Sequence, residues 1–89
     1  MSADALARVI ELDATELRDR DFRVLAQMAF RADDEGILRI GVDELALATS
    51  RNRKPCEEAL RRLWGGRYIV VVEEGGHGRG RKNVYRVQV

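Results

Sequence analysis

The sequence predicts one small α+β domain: three helices, a small antiparallel sheet and a closing β-hairpin. Three observations carry that expectation. Apolar residues recur at i, i+3, i+4 and i+7 in successive segments, the spacing of a single buried helix face. A β-branched run at 68–73 and an alternating run at 84–89 follow, separated by a loop holding Gly75, Gly76, Gly78 and Gly80. The 89 residues leave room for one core only. Residues 15–89 are assigned to the domain and 1–14 to an N-terminal arm of open structure.

Within that arm, Leu6, Ala7 and Ile10 fit one helical face, whereas residues 9–12 alternate as a short strand would. The first predicted helix runs over 17–32, with Phe22, Leu25, Ala26, Ala29 and Phe30 as its buried stripe. Asp33, Asp34 and Glu35 end it, because a helix C-terminus disfavours acids, and Gly36 supplies a residue free to take positive φ. Residues 37–40 are too few for a helix and read as a strand, interrupted by Gly41. A two-turn second helix follows, with Asp43 and Glu44 where an N-terminus favours negative charge and Val42, Leu45, Ala46 and Thr49 facing inward.

After a polar break at 50–52, Cys56, Ala59, Leu60 and Leu63 mark the third helix, which runs to about Trp64. Asn52 fits its N-cap. Pro55 is tolerated in a first turn whose backbone donors lack intrahelical partners, although it is expected to strain Lys54 and delay the helix start. Gly65 and Gly66 are expected to form the left-handed cap.

The net charge of +1 conceals a division. Residues 1–35 hold nine acids and five bases, a balance of −4, and residues 36–89 hold six acids and eleven bases, a balance of +5. Positive charge gathered in one part fits a polyanionic partner as well as an ordinary solvated surface. Of the sixteen bases, fourteen are Arg, which suits bidentate contact with phosphate or guanine. One cysteine excludes an internal disulfide, and one cysteine with one histidine cannot make a zinc site. No metal or cofactor is expected. With neither a basic-then-apolar leader nor a window approaching a membrane span, a cytoplasmic protein without membrane contact is expected.

The segment 45–69 resembles the winged helix-turn-helix proteins, a broad family that includes bacterial, plasmid and phage regulators and replication or transfer proteins. The resemblance rests on Leu45, Ala46, Ala48 and Thr49 in one helix, Cys56, Ala59, Leu60 and Leu63 in the next, and Tyr68 with Ile69 opening the hairpin. It extends more loosely over 17–89. Ser50 stands where the family usually has glycine, Arg51 where it has an aliphatic residue, and Pro55 where it often has threonine. The resemblance implies a β-hairpin wing and a non-enzymatic double-stranded DNA-binding protein, either a transcriptional regulator or a phage or plasmid replication, recombination or transfer factor. The alternative is a winged helix used as a protein-interaction module without DNA binding, favoured by the acidic balance of residues 1–35 and by Glu57 and Glu58. RNA binding ranks below both, because no aromatic platform for stacking bases is evident.

A helix fits the major groove and offers its N-terminal turn to base edges and phosphates. Here that turn holds Arg51, Asn52, Arg53 and Lys54, and its three cations oppose the helix dipole and so point to an external anion. Spacing pairs Glu57 with Arg61 and Glu58 with Arg62. Arg61 is read either as part of a solvated ion pair or as a contact to a base or phosphate. His77, Arg79, Arg81 and Lys82 make the glycine-spaced loop a cationic tip suited to the adjacent minor groove or backbone. That loop lacks the strand-to-helix setting and the Gly-Lys-Ser/Thr ending of a nucleotide cradle.

Cys56, on the apolar face, is expected to be buried and inert. Trp64 is read as packed beneath the hairpin or, less favoured, as a dimer anchor. Asp33, Asp34 and Glu35 are read as a solvated turn and His77 as solvated. A homodimer would suit a palindromic site, with residues 1–14 or strand 84–89 as its interface.

Overall fold

The computed structural model describes residues 3–12, 17–49, 52–75 and 81–88. These form an α+β arrangement: α1 (Ala3–Ile10), α2 (Asp19–Arg31), β1 (Ile37–Ile40), α3 (Val42–Thr49), α4 (Arg53–Gly65), β2 (Ile69–Glu73) and β3 (Asn83–Val87). Four helices are present among the described residues where three were expected. The added one is α1, which resolves the open arm in favour of a helix and turns Ala5 and Val9 into the common core against α2.

Helix α2 carries Asp19 and Asp21 in its first turn, where they complement the helix dipole. Its buried row is Asp21, Val24, Leu25, Met28 and Ala29. The predicted stripe is therefore corrected by a rotation: Leu25 and Ala29 are central, Phe22 and Ala26 are half-buried, and Phe30 is exposed beside Arg31. The physical reason is that the row turned toward the packed elements α1, α3 and α4 begins one residue earlier, at Asp21, a charged residue buried against Arg62 of α4. After α2 the chain turns on Asp33, whose Oδ1 accepts the backbone N–H groups of Glu35 and Ile37, both at 2.9 Å. Gly36 has φ +81° there, and a Cβ on it would stand 3.0 Å from the Val87 carbonyl oxygen. Its own carbonyl accepts the Val87 N–H at 2.8 Å.

The sheet is antiparallel in the order β1-β3-β2, so the last strand lies in the middle. Leu38 pairs with Tyr85 and Ile69 with Val87, which aligns the inward-facing side chains under the helices. Both edges of β3 are occupied by its neighbours, so it has no edge to lend to a second copy. A bulge between Val71 and Glu73 interrupts β2, itself an edge strand.

Helix α4 buries Cys56, Ala59, Leu60 and Leu63 as their spacing predicts. Two details of its ends differ from expectation. The helix starts at Arg53 with Pro55 already inside its first turn, so the proline does not delay it; the missing N–H is one the first turn leaves unpaired anyway. At the other end Gly66 remains right-handed at φ −83°, and Arg67 takes the left-handed conformation at φ 66°. Three backbone bonds close this end: Gly66 N–H to Arg62, Arg67 N–H to Trp64 and Tyr68 N–H to Leu63. Trp64 is 59% exposed and does not pack beneath the hairpin. No helix among the described residues is long and apolar enough to cross a membrane.

Burial pushes the Cys56 thiol up to about 11, and the Glu57 carboxylate adds to the rise while the Thr49 hydroxyl opposes it. The neutral thiol is thus the stable form at neutral pH, and that contribution fades as pH climbs toward the raised value. A shift of about two units leaves roughly a hundredfold less thiolate than an unperturbed thiol carries. We expect a disulfide reagent at about pH 8 to label the native chain at least tenfold more slowly than the urea-unfolded chain. Equal rates would show that Cys56 is accessible.

Candidate nucleic-acid interface

Adjacent acids at the start of α3 bring together the N-terminal turn of α4 and the base of the β2–β3 loop. Asp43 Oδ1 lies 3.5 Å from Arg53 Nη1, and Glu44 Oε1 lies 2.7 Å from Lys82 Nζ. The hydrogen bond from Lys82, reinforced by its charge, lowers the Glu44 carboxyl below the ordinary carboxylate range. Gly41, just before α3, sits so close to the loop base that a Cβ on it would be 3.1 Å from the Arg81 carbonyl oxygen. Arg53 and Lys82, far apart in sequence, therefore share one side of the molecule.

The loop base is fixed from within as well. Asn83 Oδ1 accepts the Gly75 N–H at 2.8 Å, and Asn83 Nδ2 donates to the Tyr85 hydroxyl at 3.2 Å. Gly75 has to be glycine for this closure, because a Cβ there would be 2.3 Å from the Lys82 carbonyl oxygen. Arg81 and Lys82 are exposed at this base.

On α4, Lys54, Glu57, Glu58 and Arg61 follow i, i+3, i+4 and i+7 and so occupy one outward stripe. The ion pairs along it differ from the spacing-based expectation. Glu57 accepts from Arg53 Nε at 2.6 Å, one turn before it, and not from Arg61. Arg62 leaves Glu58 for Asp21 on α2: Nε donates to Oδ2 at 2.8 Å and to Oδ1 at 3.1 Å, and Nη2 donates to Oδ1 at 2.8 Å. That pairing, first, and the nearby Glu58 charge hold the Arg62 guanidinium firmly protonated against the effect of burial. Lys54 and Arg61 are exposed and make no ion pair among the described residues.

Asn52 takes the N-cap position with extended backbone, and its side chain makes no capping hydrogen bond. Arg51, His77 and Arg79 lie outside the described residues. Arg53, Lys54, Arg61 and Lys82 are all exposed, and the neighbours of Arg53 and Lys82, Asp43 and Glu44, escape a sequence reading because a helix N-terminus already explains those acids. Among the described residues no group of His, Cys, Asp or Glu could hold a metal ion, and Asp33 is occupied by its own turn. No protein-family model, curated protein or solved structure matches the chain.

Proposed function

We propose that this chain is a winged helix-turn-helix domain that binds double-stranded DNA without catalysis, with α4 in the major groove and the base of the β2–β3 loop against the backbone. The element order from α2 to β3 supports the fold assignment. The observation that carries the function is the stripe of α4: Glu57 is taken up by Arg53, while Lys54 and Arg61 make no ion pair among the described residues and so keep their charge for an external anion. The Lys82–Glu44 bridge anchors the wing base beside that stripe.

Anisotropy of a labelled duplex, titrated at roughly 50 and 200 mM salt, tests this reading. Two phosphate contacts give a slope of about −1.8, which over a fourfold rise in salt weakens binding about twelvefold. Each further contact from the wing steepens it. The competing reading, a protein-interaction module, gains from Leu47 and Trp64, which are 74% and 59% exposed. Absence of duplex binding at the lower salt, with recovery of one stoichiometric protein partner, would favour that reading.

A further inference from the structure

We propose that Arg53 is the specificity-determining residue of α4, reading a guanine edge, and that Glu57 and Asp43 hold its guanidinium for that task; this rests on the DNA-binding reading above. Arg53 donates Nε–H to Glu57 Oε1 at 2.6 Å, with Asp43 3.5 Å from Nη1, yet 61% of its side chain is exposed. A guanidinium donates in pairs, either from Nε with one terminal nitrogen or from the two terminal nitrogens together. Glu57 occupies the first edge. Neither Nη1 nor Nη2 donates a hydrogen bond among the described residues, Asp43 standing off Nη1 at 3.5 Å, so the second edge remains for the N7 and O6 acceptors of guanine, a bidentate match.

Charge separates this role from a phosphate contact. Asp43, Arg53 and Glu57 together carry −1, so the trio gains little from a phosphate. A base edge carries no net charge and rewards orientation, and an arginine held by two carboxylates has already lost much of the rotamer freedom that binding would remove. The same carboxylates repel backbone wherever the base contact is absent, which raises discrimination at the expense of general affinity. Lys54 and Arg61 then supply the backbone contacts, and Arg53 supplies the choice of base.

The test combines selection from a randomised duplex library with titrations of the selected duplex against one in which each selected guanine pair is replaced in turn. Wild type should prefer guanine at one position by roughly tenfold. Arg53→Lys keeps the charge and loses the paired edge, so it should lose that preference with its salt slope unchanged. Glu57→Gln should also lose it, while binding random duplex as tightly as wild type or more so. Circular dichroism checks that both variants are folded, and Arg53→Lys alone decides if Glu57→Gln is not. A guanine preference that survives in either folded variant overturns the proposal, as does duplex binding by wild type without any guanine preference. Failure of wild type to bind duplex at all would overturn the DNA-binding reading with it.

Discussion

Replacing Arg62 with alanine should cost about 3 kcal/mol of stability, and replacing its partner Asp21 with alanine clearly less. The asymmetry follows from burial. The Asp21 side chain is 4% exposed and takes all three hydrogen bonds from Arg62, whereas the Arg62 side chain is 33% exposed. Arg62→Ala strands a carboxylate between α2 and α4 with neither counter-charge nor donor, which is the expensive way to break a buried pair. Asp21→Ala leaves a guanidinium that can turn toward water and the neighbouring Glu58, so the loss is that of the hydrogen bonds alone, about 1–2 kcal/mol. Against the 5–15 kcal/mol typical of a small domain, the Arg62 variant should show a markedly lower urea midpoint with an unchanged slope. If Asp21→Ala proves as damaging as Arg62→Ala, water reaches Asp21 and the pair is a surface bridge.

That pair also explains why the sequence misleads about α2. A search for apolar spacing begins its stripe at Phe22, because the residue that starts the true buried row, Asp21, is charged. Its burial depends on an arginine 41 positions away, and no local pattern contains that information. Phe30 and Trp64 fail for a related reason: hydrophobicity says that a side chain gains from burial but not whether the neighbouring elements reach it. On α4, whose buried row holds no charged residue, spacing identifies all four buried residues, Cys56, Ala59, Leu60 and Leu63. The short strand Ile37–Ile40 and the terminal hairpin are legible because their lengths and β-branched composition leave few alternatives. The helical end at Arg67 is harder, since two glycines precede it and the choice of left-handed residue is made by the bonds that close the turn.

Charge on the candidate interface was half legible. The spacing of α4 allows Glu57 to pair forward with Arg61 or backward with Arg53, and sequence alone ranks the acid-first order higher. In the structure the backward pair forms, with Asp43, arriving from α3, as a second carboxylate beside Arg53. The result is a division of labour that a count of basic residues would hide: among the described residues Arg53, Arg62 and Lys82 each face a carboxylate, and Lys54 and Arg61 pair with none.

The double replacement Lys54→Ala with Arg61→Ala should therefore produce the largest change in duplex affinity. Each lysine or arginine that neutralises a phosphate contributes about 0.9 to the slope of log affinity against log salt, so the pair should lower its magnitude by about 1.8. Because counterion release vanishes near 1 M salt, the wild-type and variant lines converge there and separate as salt falls. The expected loss is on the order of a hundredfold at about 50 mM and about twentyfold near 200 mM. Both side chains are exposed and alanine favours a helix, so thermal stability should change by no more than about 0.5 kcal/mol, and weaker binding cannot then be ascribed to unfolding. Arg23→Ala, which removes an exposed charge from α2, provides the comparison: it should leave the slope nearly unchanged. A double variant that keeps the wild-type slope would take α4 out of the groove, whatever else the protein does with DNA.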